Sequence, residues 1–170
     1  MDGFSPVNLG KLLLGQPCLQ SCTPKGIIKM LEHANVQIQG KKAVVIGRSN
    51  IVGKPIALLL LEKNATVTIC HSKTKNLTEE LKKADLVIVA MGKPEFIRGK
   101  DLKKGCTVID VGIHKKQNGK LCGDVHFESA SKVASNISPV PFGVGPMTVV
   151  SLIENTIQAA EIQSRKNFKV

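Results

Sequence analysis

The sequence predicts an α/β fold built on a doubly wound, mostly parallel sheet, and three observations carry that expectation. Short apolar runs rich in β-branched residues recur at positions 43–46, 86–90 and 107–111, as in strands covered on both faces. Stretches with helical periodicity separate them. After the first run comes a glycine-bounded turn, Gly47-Arg-Ser-Asn-Ile-Val-Gly53, which leads into Lys54-Pro-Ile-Ala-Leu-Leu-Leu-Leu-Glu62, a stretch of strong helix formers.

Each element has its own local reason. Ser5 followed by Pro6 has the form of an N-cap and first-turn proline, and Val7, Leu9, Leu12 and Leu13 run to a stop at Gly15. Thr23 and Pro24 repeat that start signal ahead of Ile27, Ile28, Leu31 and Ala34, which share one helical face. Residues 35–40 then turn the chain into the first strand. The next helix starts near Gly53, and the run 66–70 follows it directly, as the second strand of a βαβ unit should. Thr78 opens a helix carrying Leu81 and Ala84; the third strand ends at Met91 and Gly92, and the fourth ends at Gly112. Asn118-Gly119 marks a tight hairpin. Residues 128–134 read as a brief helix, Ile137 begins another extended piece, and Thr148 starts a last helix with Val149, Leu152, Ile153, Ile157 and Ala160.

A chain of 170 residues with 42% hydrophobic and 22% charged residues has the makings of one good core and not of a disordered tract. No apolar run approaches a membrane span, and Met1-Asp-Gly-Phe lacks the features of a leader, so a soluble, cytoplasmic setting is expected. The five cysteines are scattered without a Cys-x-x-Cys pair and read as reduced thiols; no metal site is expected. A net charge of +11 raises nucleic acid as a partner. Against it, lysines are spread as pairs, there is no Trp or Tyr to stack on bases, and solvated surface explains the charge better.

In doubly wound sheets ligands lie beyond the carboxyl ends of the strands, which gathers Gly47 to Asn50, His71 to Lys73, Met91-Gly92 and Gly112-Ile113 on one edge. The first amides of the helix near Gly53 have no intrahelical partner, so an anion such as a nucleotide phosphate would be stabilised there. The spacing is neither Gly-x-Gly-x-x-Gly nor a P-loop, and read alone the turn fits glycines placed for packing. After the second strand, where an acid would hold the ribose of NAD, the chain reads Cys70-His-Ser-Lys73. A hydroxyl and a cation there, with Arg48 in reach, suit a 2′-phosphate and hence NADP over NAD; Lys73 and Lys75 also read as a solvated loop. Gly92 and Gly112 would let backbone approach a flat ring, although glycines simply ending strands is the plain alternative.

The segments Ser21-Cys-Thr-Pro-Lys-Gly26, Val45-Ile-Gly-Arg-Ser-Asn-Ile-Val-Gly-Lys-Pro55, Cys70-His-Ser-Lys-Thr-Lys-Asn-Leu77, Val108-Ile-Asp-Val-Gly-Ile113, Gly123-Asp-Val125 and Pro139-Val-Pro-Phe-Gly-Val-Gly-Pro-Met-Thr148 stand in this order. From about Asp2 to Glu161 the chain resembles the bifunctional methylenetetrahydrofolate dehydrogenase/methenyltetrahydrofolate cyclohydrolase family. The resemblance implies a two-domain enzyme of one-carbon metabolism and purine biosynthesis, a homodimer. Hydride passes from the folate methylene bridge to NADP, and the methenyl product is hydrolysed to formyltetrahydrofolate. It implies a Rossmann-like domain over 36–147, a helical link over 1–35, and a helix over 148–170 returning toward a catalytic domain.

By the same resemblance Gly47, Arg48 and Ser49 bind cofactor phosphates, Ser72 joins Arg48 on the 2′-phosphate, and Ile113 lies on the nicotinamide side, with the strand-end glycines Gly92 and Gly112 completing the expected cofactor-binding set. Asp2 faces the folate, and Pro139, Val140, Pro141, Phe142, Gly143, Val144, Gly145 and Pro146 line the folate and nicotinamide pocket. The match starts at the family's second half. The Tyr-x-x-x-Lys motif whose lysine moves protons is therefore expected to lie outside this chain, which has no tyrosine. No catalytic residue is expected within it; His71 and His114 are the nearby acid-base candidates and read as loop histidines. Phe142 replaces a family glycine and is expected to fill part of the pocket or shift the loop, weakening folate binding. Ser21 replaces a proline. An apolar face for the absent domain is expected from the first two helices with Val149, Ile153 and Ile157. Two alternatives are a non-catalytic NADP-binding regulator and a basic RNA-binding protein on a dinucleotide fold.

Overall fold

The computed structural model describes residues 1–167. In chain order the helices are α1 (Pro6–Leu13), α2 (Cys22–His33), α3 (Gly53–Glu62), α4 (Leu77–Lys83), α5 (Phe127–Ala130) and α6 (Val144–Asn167). The strands are β1 (Lys42–Ile46), β2 (Thr66–Cys70), β3 (Leu86–Val89), β4 (Thr107–Asp110), β5 (His114–Lys115), β6 (Leu121–Cys122) and β7 (Asn136–Ile137). Five strands form one parallel sheet in the order β2-β1-β3-β4-β7, as the fold class requires. The antiparallel β5–β6 pair is the hairpin predicted around Asn118-Gly119.

Alternation along the strands divides the core in two. Ala43, Val45, Leu86, Ile88 and Ile109 face α1, α2 and α3, where they meet Leu12, Ile27, Leu31, Ile56 and Leu60. Val44, Ile46, Val87, Val89 and Val108 point the other way, onto Leu81, Ile97, Leu102 and Ala130. The chain runs outward from β1 through α3 to the edge strand β2 and returns through α4 to β3. Strand order therefore reverses between β1 and β3, where a doubly wound sheet opens a crevice. There the Ala90 amide donates to the Ile46 carbonyl at 2.8 Å. A Cβ on Gly47 would collide with the Ala90 carbonyl, so only glycine lets the turn lie this close to β3.

Three expectations are revised by packing. Helix α2 starts at Cys22, with Ser21 and not Thr23 at its N-cap, because the Thr23 hydroxyl is engaged with that of Thr148 on α6 at 3.0 Å. Helix α6 begins at Val144 and not at Thr148: Pro146 occupies its first turn, where a missing N–H costs nothing. The last three positions of the helix expected over 148–170 lie outside the described residues. Finally, α2 is no open face. Its Ile27, Ile28 and Leu31 are buried, and Lys25 and Lys29 pair with Glu154 of α6 at 3.2 and 2.6 Å. Exposed apolar side chains come from α1 (Val7, Leu13) and α6 (Val149, Ile153, Ile157). Among the described residues no helix is long and apolar enough to cross a membrane.

Candidate functional site

A cleft of about 660 Å³ opens at the carboxyl ends of β1, β2 and β3. Its floor is apolar, from Ile46, Leu81 and Ile97, and its rim carries Gly47, Arg48 and Ser72 facing Lys93, Arg98 and Lys100. Among the described residues none of these four cations makes an ion pair, although Lys93 stands 5.2 Å above the Phe96 ring. The loop after β2 is braced internally: the His71 amide donates to Thr74 Oγ1 at 2.8 Å, and the Lys73 amide to His71 Nδ1 at 3.1 Å. His71 thus shapes the turn that carries Ser72.

The first amides of α3 are not waiting for an anion. Ser49 Oγ accepts from the amides of Val52 and Gly53 at 3.1 and 3.2 Å, and the Ser49 carbonyl accepts from Lys54 at 3.0 Å. Val52 holds the N-cap position, and Ser49 supplies the acceptor for the amides that open the helix. The amides of Arg48, Ser49, Asn50 and Ile51 instead meet no acceptor among the described residues, so the donors open to a ligand lie in the turn itself.

A second cleft, of about 380 Å³, lies between Gly112 and Ile113 at the end of β4 and residues 139–146. The pocket-lining loop was expected to run to Pro146, but Val144, Gly145 and Pro146 are the first turn of α6. Asp2 does not line this cleft; its carboxylate accepts from the Phe4 amide at 3.1 Å. Phe142 is one of the residues that line this cleft. It adopts the glycine-like φ of +77° with 85% of its surface exposed, standing at the cleft's rim. That conformation costs an L-residue about 1 kcal/mol. Phe142→Gly is therefore expected to leave stability unchanged or raise it by up to about 1 kcal/mol, since little burial is lost. Chemical denaturation of the two proteins measures it, and a marked loss would mean that the ring holds the loop.

Two carboxylates organise the backbone between the clefts. Asp110, at the end of β4, accepts from the amides of Gly112 (3.0 Å), Asp124 (2.9 Å) and Val125 (2.9 Å). Burial pushes its carboxyl up to about 6, outweighing those three donors. Asp124, fully buried, accepts from the amides of Met91 (2.8 Å), Gly92 (3.0 Å) and Lys93 (2.8 Å), and its Oδ1 lies 2.7 Å from His114 Nε2. A Cβ on Gly112 would lie 2.5 Å from the Asp124 carboxyl carbon. The space that a Cβ on Gly112 would need is thus taken by an aspartate.

Residues 21–164 match the family model described as tetrahydrofolate dehydrogenase/cyclohydrolase, NAD(P)-binding domain. The chain belongs to that family. It is 55% identical to the bifunctional protein FolD of Acetivibrio thermocellus, over 97% of this chain and 58% of the relative. Against FolD of Bacillus subtilis the identity is also 55%, over 95% of this chain and 57% of the relative. Among solved structures, the bifunctional FolD of Campylobacter jejuni superposes with a TM-score of 0.93 at 48% identity, covering 95% of this chain and 58% of that one. FolD of Trypanosoma brucei, complexed with NADP and an inhibitor, gives 0.90 at 39%, covering 96% and 59%. The chain thus spans somewhat under three-fifths of the relatives it matches.

Within this tetrahydrofolate dehydrogenase/cyclohydrolase domain, Gly47, Arg48 and Ser72 come together in the first cleft, and Gly112, Ile113 and residues 139–146 in the second. Gly92 lines neither, following β3 between them, and the Ser49 hydroxyl is engaged by the amides of Val52 and Gly53 at the start of α3. Sequence reasoning does not single out Lys93, Arg98, Lys100, Asp110 or Asp124, and it names His114 only as a loop histidine near the folate, not as a partner of Asp124. Asp110 had a signal: an acid inside the apolar run Val108-Ile-Asp-Val111 must find donors when it is buried. Lys93 and Lys100 had none, being lost among many surface lysines, and Arg98 follows no strand end that would place it at the cleft.

Proposed function

We propose that this chain is the NADP-binding half of a methylenetetrahydrofolate dehydrogenase/methenyltetrahydrofolate cyclohydrolase. The observation that carries the reading is the switch-point cleft. Four cations that make no ion pair among the described residues ring it beside Ser72, and no carboxylate follows β2 where NAD would need one. The NADP bound to the Trypanosoma brucei relative supports the same cofactor here.

The cleft fits a doubly phosphorylated adenosine. Arg48 and Ser72 would hold the 2′-phosphate, and the free amides of residues 48–51 the pyrophosphate, leaving Gly112 and Ile113 beside the nicotinamide. When bound, the cofactor supplies the hydride acceptor for the folate methylene bridge. The apolar wall of residues 139–146 would shield that transfer from water. Hydrolysis of the methenyl product needs an acid or base in contact with the folate. His71 is engaged in its own turn and His114 lines neither cleft. We therefore assign the proton transfers to the part of the relatives that this chain does not span, and a cytoplasmic homodimer remains our reading of its setting.

Titrating the chain with NADPH, NADH and RNA over a salt series tests this. The expected result is saturable binding with NADPH tighter than NADH, and little or no turnover of methylenetetrahydrofolate. Failure to bind either nucleotide, or tighter binding of RNA with a steep salt dependence, would overturn it.

A further inference from the structure

We propose that Asp124 and His114 form a positioning pair that sets the backbone receiving the nicotinamide end of the dinucleotide; the proposal rests on the dinucleotide reading above. Three consecutive amides converging on one anion, as those of Met91, Gly92 and Lys93 do, make a nest of the kind that elsewhere holds a ligand phosphate. Here the nest is already filled by a side chain of the same protein. The backbone after β3 therefore serves as a fixed platform, and the anionic part of the ligand is left to the turn after β1.

The same carboxylate reaches the neighbouring strand. His114 follows Gly112 and Ile113 directly, and its Nε2 lies 2.7 Å from Asp124 Oδ1. Gly112 packs against Asp124 from the other side, and its amide is held by Asp110 at 3.0 Å. Residues 112–113 are thus pinned before and behind, and their distance from residues 91–93 is set by one buried group. His114 lines neither cleft, so it touches no substrate and acts through Asp124. A hydrogen-bonded pair of this kind matters most where a ring must be met by backbone placed to within a fraction of an ångström.

The test separates the two ends of the ligand. Titrations of the wild-type chain, His114→Ala, His114→Gln and Asp124→Asn use NADPH, which spans both ends, and 2′,5′-ADP, which reaches only the adenosine end. The expected result is that His114→Ala weakens NADPH about tenfold while 2′,5′-ADP stays within twofold. His114→Gln, whose amide can still donate to Asp124, should restore most of the NADPH affinity. Should Asp124→Asn not fold, His114, which lies near the surface, still decides the matter. Unchanged NADPH affinity in His114→Ala, or a parallel loss of both ligands, would overturn the proposal. A wild-type chain that binds neither ligand would overturn the underlying dinucleotide reading instead.

Discussion

Replacing Asp110 with alanine is expected to remove most of the stability of this domain. The substitution leaves the amides of Gly112, Asp124 and Val125 without their acceptor, the last two in buried contacts and the first in a half-buried one. At roughly 1–3 kcal/mol for each orphaned group the loss reaches about 5 kcal/mol, against a total of about 5–15 kcal/mol for a domain. Urea denaturation followed by circular dichroism checks it: the midpoint should fall by half or more, or no folded baseline should remain. A loss below about 1 kcal/mol would mean that the three amides find other partners, and that the loops after β4 are held by something else.

The same residue gives the protein an unusual pH dependence. Its folded carboxyl titrates at about 6, above its ordinary value of 3.8. Between those two values the folded state binds more protons than the unfolded chain, so this group's contribution to stability falls as the pH rises through the window. The effect is absent below about pH 4 and complete above about pH 6, and amounts to about 3 kcal/mol. Asp85, Glu95 and Glu154 act with the opposite sign, because lysine partners hold their carboxyls below the usual range. Asp110 is therefore isolated by subtraction. The stability of wild type minus that of Asp110→Asn should shrink from pH 4 to pH 7, and a difference that grows would contradict the assigned shift.

What the sequence reveals about this protein tracks how local each cause is. The central strands were legible because β-branched runs covered on both faces leave a continuous apolar record, and α1 because Ser5 and Pro6 mark its start within four residues. The start of α6 was misread because proline and glycine at Gly145 and Pro146 signal loop and first helical turn alike. Thr23 was misread because a partner 125 positions away decides where its hydroxyl goes. The same limit governed the site. Arg48 and Ser72 follow strand ends, which the topology rule places together. Arg98 and Lys100 reach the same cleft from the segment after β3, and nothing in their neighbourhood says so. Asp124 is the extreme case: its four partners span residues 91–114, and only the folded chain brings them to one carboxylate.

Arg48→Ala is expected to weaken NADP binding by about 10–100-fold while changing NAD binding by no more than a few-fold. A hydrogen bond between guanidinium and phosphate contributes about 1.5–3 kcal/mol, and each 1.4 kcal/mol is about tenfold in Kd. NAD lacks the 2′-phosphate and forfeits only the general pull of the cleft. That general pull is the rival explanation, because Lys93, Arg98 and Lys100 would attract any phosphate, and a field of this kind lowers with each cation removed. Lys100→Gln is the control, since it removes the same charge from the same cleft. If attraction alone sets the preference, Arg48→Ala and Lys100→Gln should weaken NADP by similar factors, and raising the salt should abolish the difference between NADP and NAD. If Arg48 grips the 2′-phosphate, its loss should erase most of the discrimination while Lys100→Gln preserves it, because a bidentate contact depends on the shape of the donor and not only on its charge.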